Sequence, residues 1–198
     1  DAPRSAALSA RRATPTEAGM DRQEIFFECE GTALCGWLAR PEGDGPHPLI
    51  ILAHGLSGII DLDLAEYAEH FVAAGYACFA YDHRNWGRSA GWPRSETDPW
   101  RQVGDMREAI SFVRSLPGID AERIGLWGTS YAGGHVLTVS ALDRRVKCVV
   151  SQVPLTSGSN GDCGDYRGAL KADFSDANRI RFLGSYSAAC GEKVWPVA

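Results

Sequence analysis

No histidine follows His135 in this sequence of 198 residues. The five histidines are His47, His54, His70, His83 and His135. Imidazole is the commonest general base in enzymes. Residues 136–198 therefore contain no histidine that could act as one. We interpret His47 and His70 as surface residues, and His54 and His83 as structural residues of loops.

Motifs for metals and nucleotides are also absent. The six cysteines form no Cys-x-x-Cys pair, which disfavours a zinc site. There is no Walker-type loop and no G-x-G-x-x-G pattern, so the common nucleotide-binding loops are excluded. We therefore expect neither a metal nor a cofactor.

The charge and hydropathy of the chain limit the kinds of partner that we expect it to bind. A net charge of −5 disfavours nucleic acid, because phosphate binding needs a basic surface. No apolar run reaches the length of a membrane span. Residues 1–20 have no apolar stretch, so we expect no secretory signal and interpret them as a disordered or non-native extension ending at Met20. The prediction is a cytoplasmic protein without nucleic-acid or membrane partners, and self-association into a homo-oligomer stays open.

The positions of the cysteines fit a reducing compartment. Cys29 and Cys35 flank a predicted two-residue turn at Glu30-Gly31, which places their side chains on opposite faces of the sheet. We therefore expect no disulfide between them. Cys78 and Cys148 lie in predicted core strands, where we expect them to be small buried apolar residues.

Strands alternate with helices along residues 21–153, which predicts an α/β fold with a doubly wound, mainly parallel sheet. The predicted strands are 24–30, 33–39, 49–53, 76–81, 122–127 and 146–152, and the predicted helices are 62–74, 99–116 and 132–142. The first two strands are expected to form an antiparallel hairpin. Gly75 is a suitable end for the first helix, and Asp98 can cap the second.

The most informative motif is Gly128-Thr129-Ser130-Tyr131-Ala132-Gly133, a variant of G-x-S-x-G with Ala132 two residues after the serine, which lies between a predicted strand and a predicted helix. A serine in such a sharp turn is a nucleophile elbow. Gly128 and Gly133 are expected because a Cβ at either position would clash with neighbouring backbone. Taken alone the pattern is weak, since a glycine-rich turn with a surface serine fits it equally well.

Two upstream loops supply the context for this motif. The apolar run 48–53 ends in His54-Gly55-Leu56, and the next strand ends in a polar loop that begins at Asp82. Gly55 lets the chain lie close to a substrate, and a loop of this kind donates a backbone N–H to a developing oxyanion. Because the carboxyl ends of parallel strands share one edge of the sheet, all three loops are expected to meet there.

With these three loops in this order and spacing, the chain resembles the α/β-hydrolase superfamily over about residues 24–155. It looks like the dienelactone-hydrolase-like and X-Pro-dipeptidyl-peptidase-like acyl hydrolases and the fungal polyketide transferases related to them. The resemblance implies that Ser130 is the nucleophile and that the backbone N–H groups of Leu56 and Tyr131 form the oxyanion hole. His54 and Asp82 are then residues of the supporting loops.

The resemblance also implies an acid and a histidine after the serine, and this sequence does not supply them. His135 lies five residues after Ser130 on a different helical face, so we expect it not to reach the serine hydroxyl. Six of the superfamily's eight strands are readable, so we expect a chain that is incomplete at its C-terminus, with residues 154–198 as the beginning of a cap. The aspartates of this region are interpreted as solvated charges: Asp162, Asp165, Asp173 and Asp176.

The sequence thus favours a serine hydrolase core that cleaves a small ester, thioester or amide through an acyl-enzyme, with little activity in this chain alone. Two alternatives stay open: a non-catalytic binding module with a hydrolase-like fold, and acyl transfer to an acceptor other than water. Three tryptophans near the active edge are either an apolar acyl pocket or packing under a long loop: Trp86, Trp92 and Trp100.

Overall fold

The computed structural model describes residues 20–156, which begin with an antiparallel hairpin. Strands β1 (Arg22–Cys29) and β2 (Thr32–Ala39) pair so that Cys29 lies opposite Thr32. The two turn residues both have positive φ, 49° at Glu30 and 74° at Gly31, as a tight hairpin turn requires. In this register Cys29 and Cys35 face opposite sides of the sheet, and both are free thiols, as predicted.

The hairpin leads into a six-stranded sheet with the order β1-β2-β4-β3-β5-β6. The remaining strands are β3 (His47–Ala53), β4 (Ala77–Tyr81), β5 (Ile119–Thr129) and β6 (Val146–Gln152). The pairs β3–β4, β3–β5 and β5–β6 are parallel, and β2–β4 is antiparallel. The predicted mainly parallel sheet is therefore confirmed, and the carboxyl ends of β3, β4 and β5 share one edge.

Three helices cover the two faces of this sheet: α1 (Leu64–Ala73), α2 (Pro99–Arg114) and α3 (Tyr131–Leu142). The Asp98 side chain caps α2 by accepting a 3.0 Å hydrogen bond from the Arg101 backbone N–H, and Pro99 fills the first turn. After α1 the chain turns at Gly75, which has a φ of +90°. Both predicted helix signals are confirmed.

The core lies in two layers because the helices pack on opposite faces. One face packs against α2 and α3 through residues such as Met106, Ile110 and Val136. The other packs against α1 through Leu64 and Trp127. Burying both faces explains why the central strands are apolar along their length instead of alternating.

The prediction for Cys148 is wrong, because its side chain is exposed. Strand β6 is the last strand of the sheet within the described residues, so its outer edge is not paired there, and its residues are mostly exposed or half-buried. The other differences are small: α1 begins two residues later than predicted, and β5 begins at Ile119. An apolar run in an edge strand has the same composition as one in a central strand, so composition alone does not distinguish the two.

Several predictions lie outside residues 20–156. They concern the extension before Met20, the cap after the core, and the residues Asp162, Cys163, Asp165, Asp173, Asp176 and Cys190. Among the residues that the structure does describe, no helix is both long enough and apolar enough to cross a membrane.

Candidate active site

Ser130 occupies a strained turn between β5 and α3. Its backbone has φ 54° and ψ −117°, a conformation that residues with a side chain rarely adopt. Strain of this kind typically costs about 1–3 kcal/mol and persists only where the surroundings hold it in place. Backbone hydrogen bonds do so here: Ser130 N–H donates to Gln152 O at 2.9 Å, and Ser130 O accepts from Leu155 N–H at 2.9 Å and from Gly133 N–H at 3.0 Å.

The two glycines of the motif leave room for this turn. A Cβ on Gly128 would lie 2.5 Å from the backbone oxygen of Ala132, and a Cβ on Gly133 would lie 2.9 Å from Cα of Pro154. Both distances are shorter than any real contact of that kind, so the backbone would have to move. The short spacing between strand and helix therefore depends on glycine at both ends of the motif.

The loop after β3 lies directly against the serine. A Cβ on Gly55 would lie 3.2 Å from Ser130 Cβ and 3.7 Å from Ser130 Oγ. The next residue, Leu56, lines a cleft together with Tyr131, the residue that follows the serine. The structure thus brings together Ser130 and both predicted oxyanion donors, which were chosen from segments more than 70 residues apart in sequence.

His54 is fixed by two hydrogen bonds at the base of this loop. Its Nδ1 lies 3.0 Å from Gly55 O, and its Nε2 lies 3.3 Å from the backbone N of His83. Since the backbone N–H must donate to Nε2, Nδ1 carries the proton and donates to Gly55 O. Burial lowers the pKa of His54, against opposing effects of Gly55 and Asp82. Both ring nitrogens of the neutral imidazole are therefore engaged in holding the loop.

Asp82 connects the loop after β4 to the loop after β3. Its carboxylate accepts hydrogen bonds from the backbone N–H of Ile60 at 2.9 Å and of Arg88 at 2.8 Å. The side chain is buried, and Gly87 passes so close that a Cβ there would lie 2.2 Å from Asp82 Oδ2. A buried carboxylate that accepts backbone hydrogen bonds braces both loops at the sheet edge.

Two more histidines pack beside His54 on the α2 side. The ring of His83 lies 4.4 Å from that of His54 and 5.7 Å from that of His135, centroid to centroid. His135 Nε2 lies 2.9 Å from Gln102 Oε1, and burial, followed by the charge of His54, lowers the pKa of His135 to about 3. His135 thus ties α3 to α2, and its ring is neutral at physiological pH.

Sequence reasoning missed the contribution of α2 to this site. Gln102 and Asp105 are buried beside Val103 and Met106, within the apolar stripe by which the helix packs on the core. Two polar residues inside an apolar stripe are the signal that could have found them, because a buried polar group needs a partner. Gln102 finds its partner in His135, and Asp105 finds its partner in Arg84.

The cleft next to the elbow, which Gly55 and Tyr131 line, is so narrow that it has no space for a water molecule in this structure. The residues that line it come from the loops after β3 and β4, the loop before α2, and helices α2 and α3: His54, Gly55, Leu56, Ser57, His83, Trp86, Thr97, Gln102 and Tyr131. Of the three predicted tryptophans only Trp86 lines it, since Trp92 is 82% exposed and Trp100 packs against the core. The three do not form one aromatic pocket.

The sheet, the strained serine elbow and the glycine loop against it define an α/β-hydrolase core. Residues 48–185 match the alpha/beta hydrolase fold family, and the chain belongs to that family. The predicted superfamily is therefore confirmed.

Individual relatives give the range of activities in the family. The chain is 42% identical over 135 residues to the quorum-quenching protein AidA of Acinetobacter baumannii, covering 68% of this chain and 44% of the relative. It is 38% identical over 130 residues to the thiohydrolase aneE of Aspergillus aculeatus, covering 66% and 40%. The solved structure of the alpha/beta hydrolase GrgF from Penicillium sp. sh18 has a TM-score of 0.67 at 27% identity, covering 77% of this chain and 55% of that chain. The chain thus spans less than half the length of these two curated relatives.

Proposed function

We propose that this chain carries the nucleophile of a serine hydrolase, which cleaves an ester, thioester or amide through an acyl-enzyme on Ser130. The observation that carries the proposal is the strained backbone of Ser130 with Gly55 packed against its side chain. Backbone strain of this kind persists only where other interactions compensate for it, and such strain is typical of nucleophile elbows.

The chemistry follows from the arrangement of the loops. Ser130 Oγ attacks the carbonyl carbon of the substrate while its proton passes to a general base. The backbone N–H groups of Leu56 and Tyr131 stabilise the negative oxygen of the tetrahedral intermediate, each contributing about 3 kcal/mol. The leaving alcohol, thiol or amine departs with a proton, and water then hydrolyses the acyl-enzyme by the same route.

The general base and its acid are part of the proposal. The hydrogen bonds of His54 and His135 hold both rings in structural roles. We place the base and the acid beyond residue 198, in the order serine, acid, histidine that the family uses. This chain alone is then expected to turn over slowly, because only binding and oxyanion stabilisation are left.

The test uses a C-terminally extended protein and a fluorophosphonate probe, which labels activated serines. We expect labelling of the unchanged protein, none of Ser130→Ala, and undiminished labelling of Ser140→Ala. Ser140 is a matched control because it lies on the same helix, where its hydroxyl donates only to Leu137 O. Equal labelling of the protein and of Ser130→Ala would refute the proposal and favour a non-catalytic binding module.

Transfer to an acceptor other than water would use the same serine. Incubating the extended protein with a thioester and increasing concentrations of an alcohol or amine separates the two reactions. A product distribution that stays at free acid supports hydrolysis, and one dominated by the new ester or amide at low acceptor concentration shows acyl transfer.

A further inference from the structure

Two buried polar side chains at the candidate site make no hydrogen bond within residues 20–156. His83 is 2% exposed and neither ring nitrogen has a partner, and Thr97 is 3% exposed with an unpaired Oγ1. More than nine in ten buried polar groups in proteins are hydrogen-bonded, and leaving one unpaired is unfavourable. Two such groups in one place indicate a site built to receive something polar.

Both side chains line the cleft beside the serine. His83 and Thr97 share this lining with Leu56 and Tyr131, the residues whose backbone N–H groups we assign to the oxyanion hole. A group bound between His83 and Thr97 would therefore share a cleft with the two residues assigned to the oxyanion hole. We take such a group to be part of the substrate.

The surroundings of Thr97 keep it in position. Glu96 O, one residue before, accepts hydrogen bonds from Trp86 Nε1 at 3.1 Å and from Asn85 Nδ2 at 3.3 Å. The loop after β4 and the loop before α2 are thus tied together next to Thr97. His83 packs between His54 and His135, so its ring is also held.

The chemistry of the two groups selects the ligand. Burial lowers the pKa of His83 well below its usual value, and His54 and His135 lower it further, against a lesser effect of the His54 main chain. The ring is therefore neutral, with one nitrogen as donor and the other as acceptor, and attracts no carboxylate by charge. The Thr97 hydroxyl also donates and accepts. A hydroxyl group matches this pair, because it can donate to one partner while it accepts from the other.

We propose that His83 and Thr97 form a subsite for a hydroxyl group on the acyl chain, so that the substrates are esters or thioesters of hydroxy acids. The cleft has no space for even one water molecule in this structure, so it has to open before a ligand can enter. Trp86, which is half-buried in this lining, has to shift as the ligand enters. This inference rests on the proposed function, because only a hydrolase of this kind would place an acyl chain there.

The test measures binding, which this 198-residue chain can show without turnover. The two ligands are ethyl 3-hydroxybutyrate and ethyl butyrate. During each titration the fluorescence of Trp86 is recorded, and the ring nitrogens of His83 are followed separately by NMR. We expect the hydroxy ester to bind about tenfold more tightly, which is about 1.4 kcal/mol. Its binding should shift the His83 ring nitrogens, and that of the plain ester should not.

Two variants of Thr97 provide the matched pair. Thr97→Val keeps the shape and removes the hydroxyl, so the tenfold preference should fall to about twofold or less. Thr97→Ser keeps the hydroxyl and should retain the preference, which controls for any change in folding. Equal binding of both esters, no binding of either up to their solubility, or full preference in Thr97→Val would each overturn the subsite.

The outcomes separate this inference from the proposed function. Preference for the hydroxy ester without probe labelling at Ser130 would leave a binding site and remove the hydrolase. Labelling at Ser130 without any preference would leave the hydrolase and remove the subsite.

Discussion

Gly55 and Ser130 lie in contact across the candidate site, although they come from different loops. A Cβ on Gly55 would lie 3.7 Å from the serine Oγ and 3.2 Å from its Cβ. The second distance is tighter than most Cβ contacts, so an added methyl group would displace one of the two residues by a few tenths of an ångström. Small displacements of a nucleophile reduce its reactivity steeply.

The first prediction is that Gly55→Ala lowers the rate of fluorophosphonate labelling at Ser130 about tenfold in the extended protein. The change should leave the folded structure intact, because Gly55 lies in a loop and has no positive φ. Labelling time courses and circular dichroism check both parts. A labelling rate as high as that of the unchanged protein would show that the loop does not confine the serine.

The second prediction compares two glycines. Gly104 lies inside α2, and a Cβ there would meet no atom within 4 Å, so Gly104→Ala should raise the free energy of unfolding by about 0.4–1 kcal/mol. A Cβ on Gly128 would lie 2.5 Å from Ala132 O, so Gly128→Ala should lower it by more than about 1 kcal/mol. Urea unfolding of both variants measures the difference. Effects of the same sign would contradict this account of the elbow.

The third prediction concerns the buried ion pair of Arg84 and Asp105. Arg84 Nε donates to Asp105 Oδ2 at 2.6 Å, its Nη2 donates to Oδ1, and both side chains are almost fully buried. Asp105→Ala leaves the buried Arg84 with only the distant, exposed carboxylate of Glu30, 3.9 Å away, and should lower the free energy of unfolding by about 3–5 kcal/mol. Replacing both residues, Arg84→Met with Asp105→Leu, should recover most of this loss.

An exposed pair provides the control for this experiment. Arg123 bonds Asp120 at 2.6 Å on the surface, three residues apart, and Arg123→Ala should change stability by less than about 1 kcal/mol. Chemical denaturation of all the variants under one set of conditions gives the comparison. A small effect of Asp105→Ala would mean that water reaches this part of the core.

The fourth prediction is a loss of stability in acid. The pKa of His135 falls from 6.5 to about 3 on folding, first through burial and then through His54. Between these values the unfolded chain binds a proton that the folded chain does not, so the free energy of unfolding falls as the pH falls. Each such imidazole contributes up to about 1.4 kcal/mol per pH unit in this window, and nothing above it.

Unfolding curves measured from pH 7.5 to 4.5 test this behaviour. His135→Gln keeps a donor for Gln102 and removes the titrating ring, so its stability should fall less steeply with decreasing pH. The pKa of Asp143 is lowered from 3.8 to about 2, so its contribution lies below the measured range. The same slope with and without His135 would show that folding does not lower the pKa of this ring.

The elbow could be predicted from sequence because its determinants are local. A strand, a serine with Gly128 two residues before it and Ala132 two residues after it, and a helix follow one another, and the cap at Asp98 is just as local. The sheet followed from the same logic, since apolar runs alternating with helices leave few topologies. Partners far apart in sequence were not predictable in this way. Nothing local to Arg84 identifies Asp105, and nothing local to Ser130 identifies Gln152.

The residues of the candidate site likewise fall into those that could be predicted from sequence and those that could not. The residues that carry a motif, Ser130 and Gly55, were found from their neighbours in sequence. The lack of hydrogen-bond partners for His83 and Thr97 depends on which groups the fold places around them, and these groups are distant in sequence. The exposure of Cys148 depends on the position of β6 in the sheet, which its own sequence does not contain.

The hydrogen bonds from the elbow to Gln152 and Leu155 have a consequence for how the protein is made. Ser130 precedes both partners in the chain, so on a nascent chain that ends before them these two hydrogen bonds cannot form. We expect Ser130 to reach its strained backbone conformation only once β6 has joined the sheet and the chain has passed Leu155. A nascent chain that stops short of that point would hold the motif in full but keep the serine in a relaxed conformation.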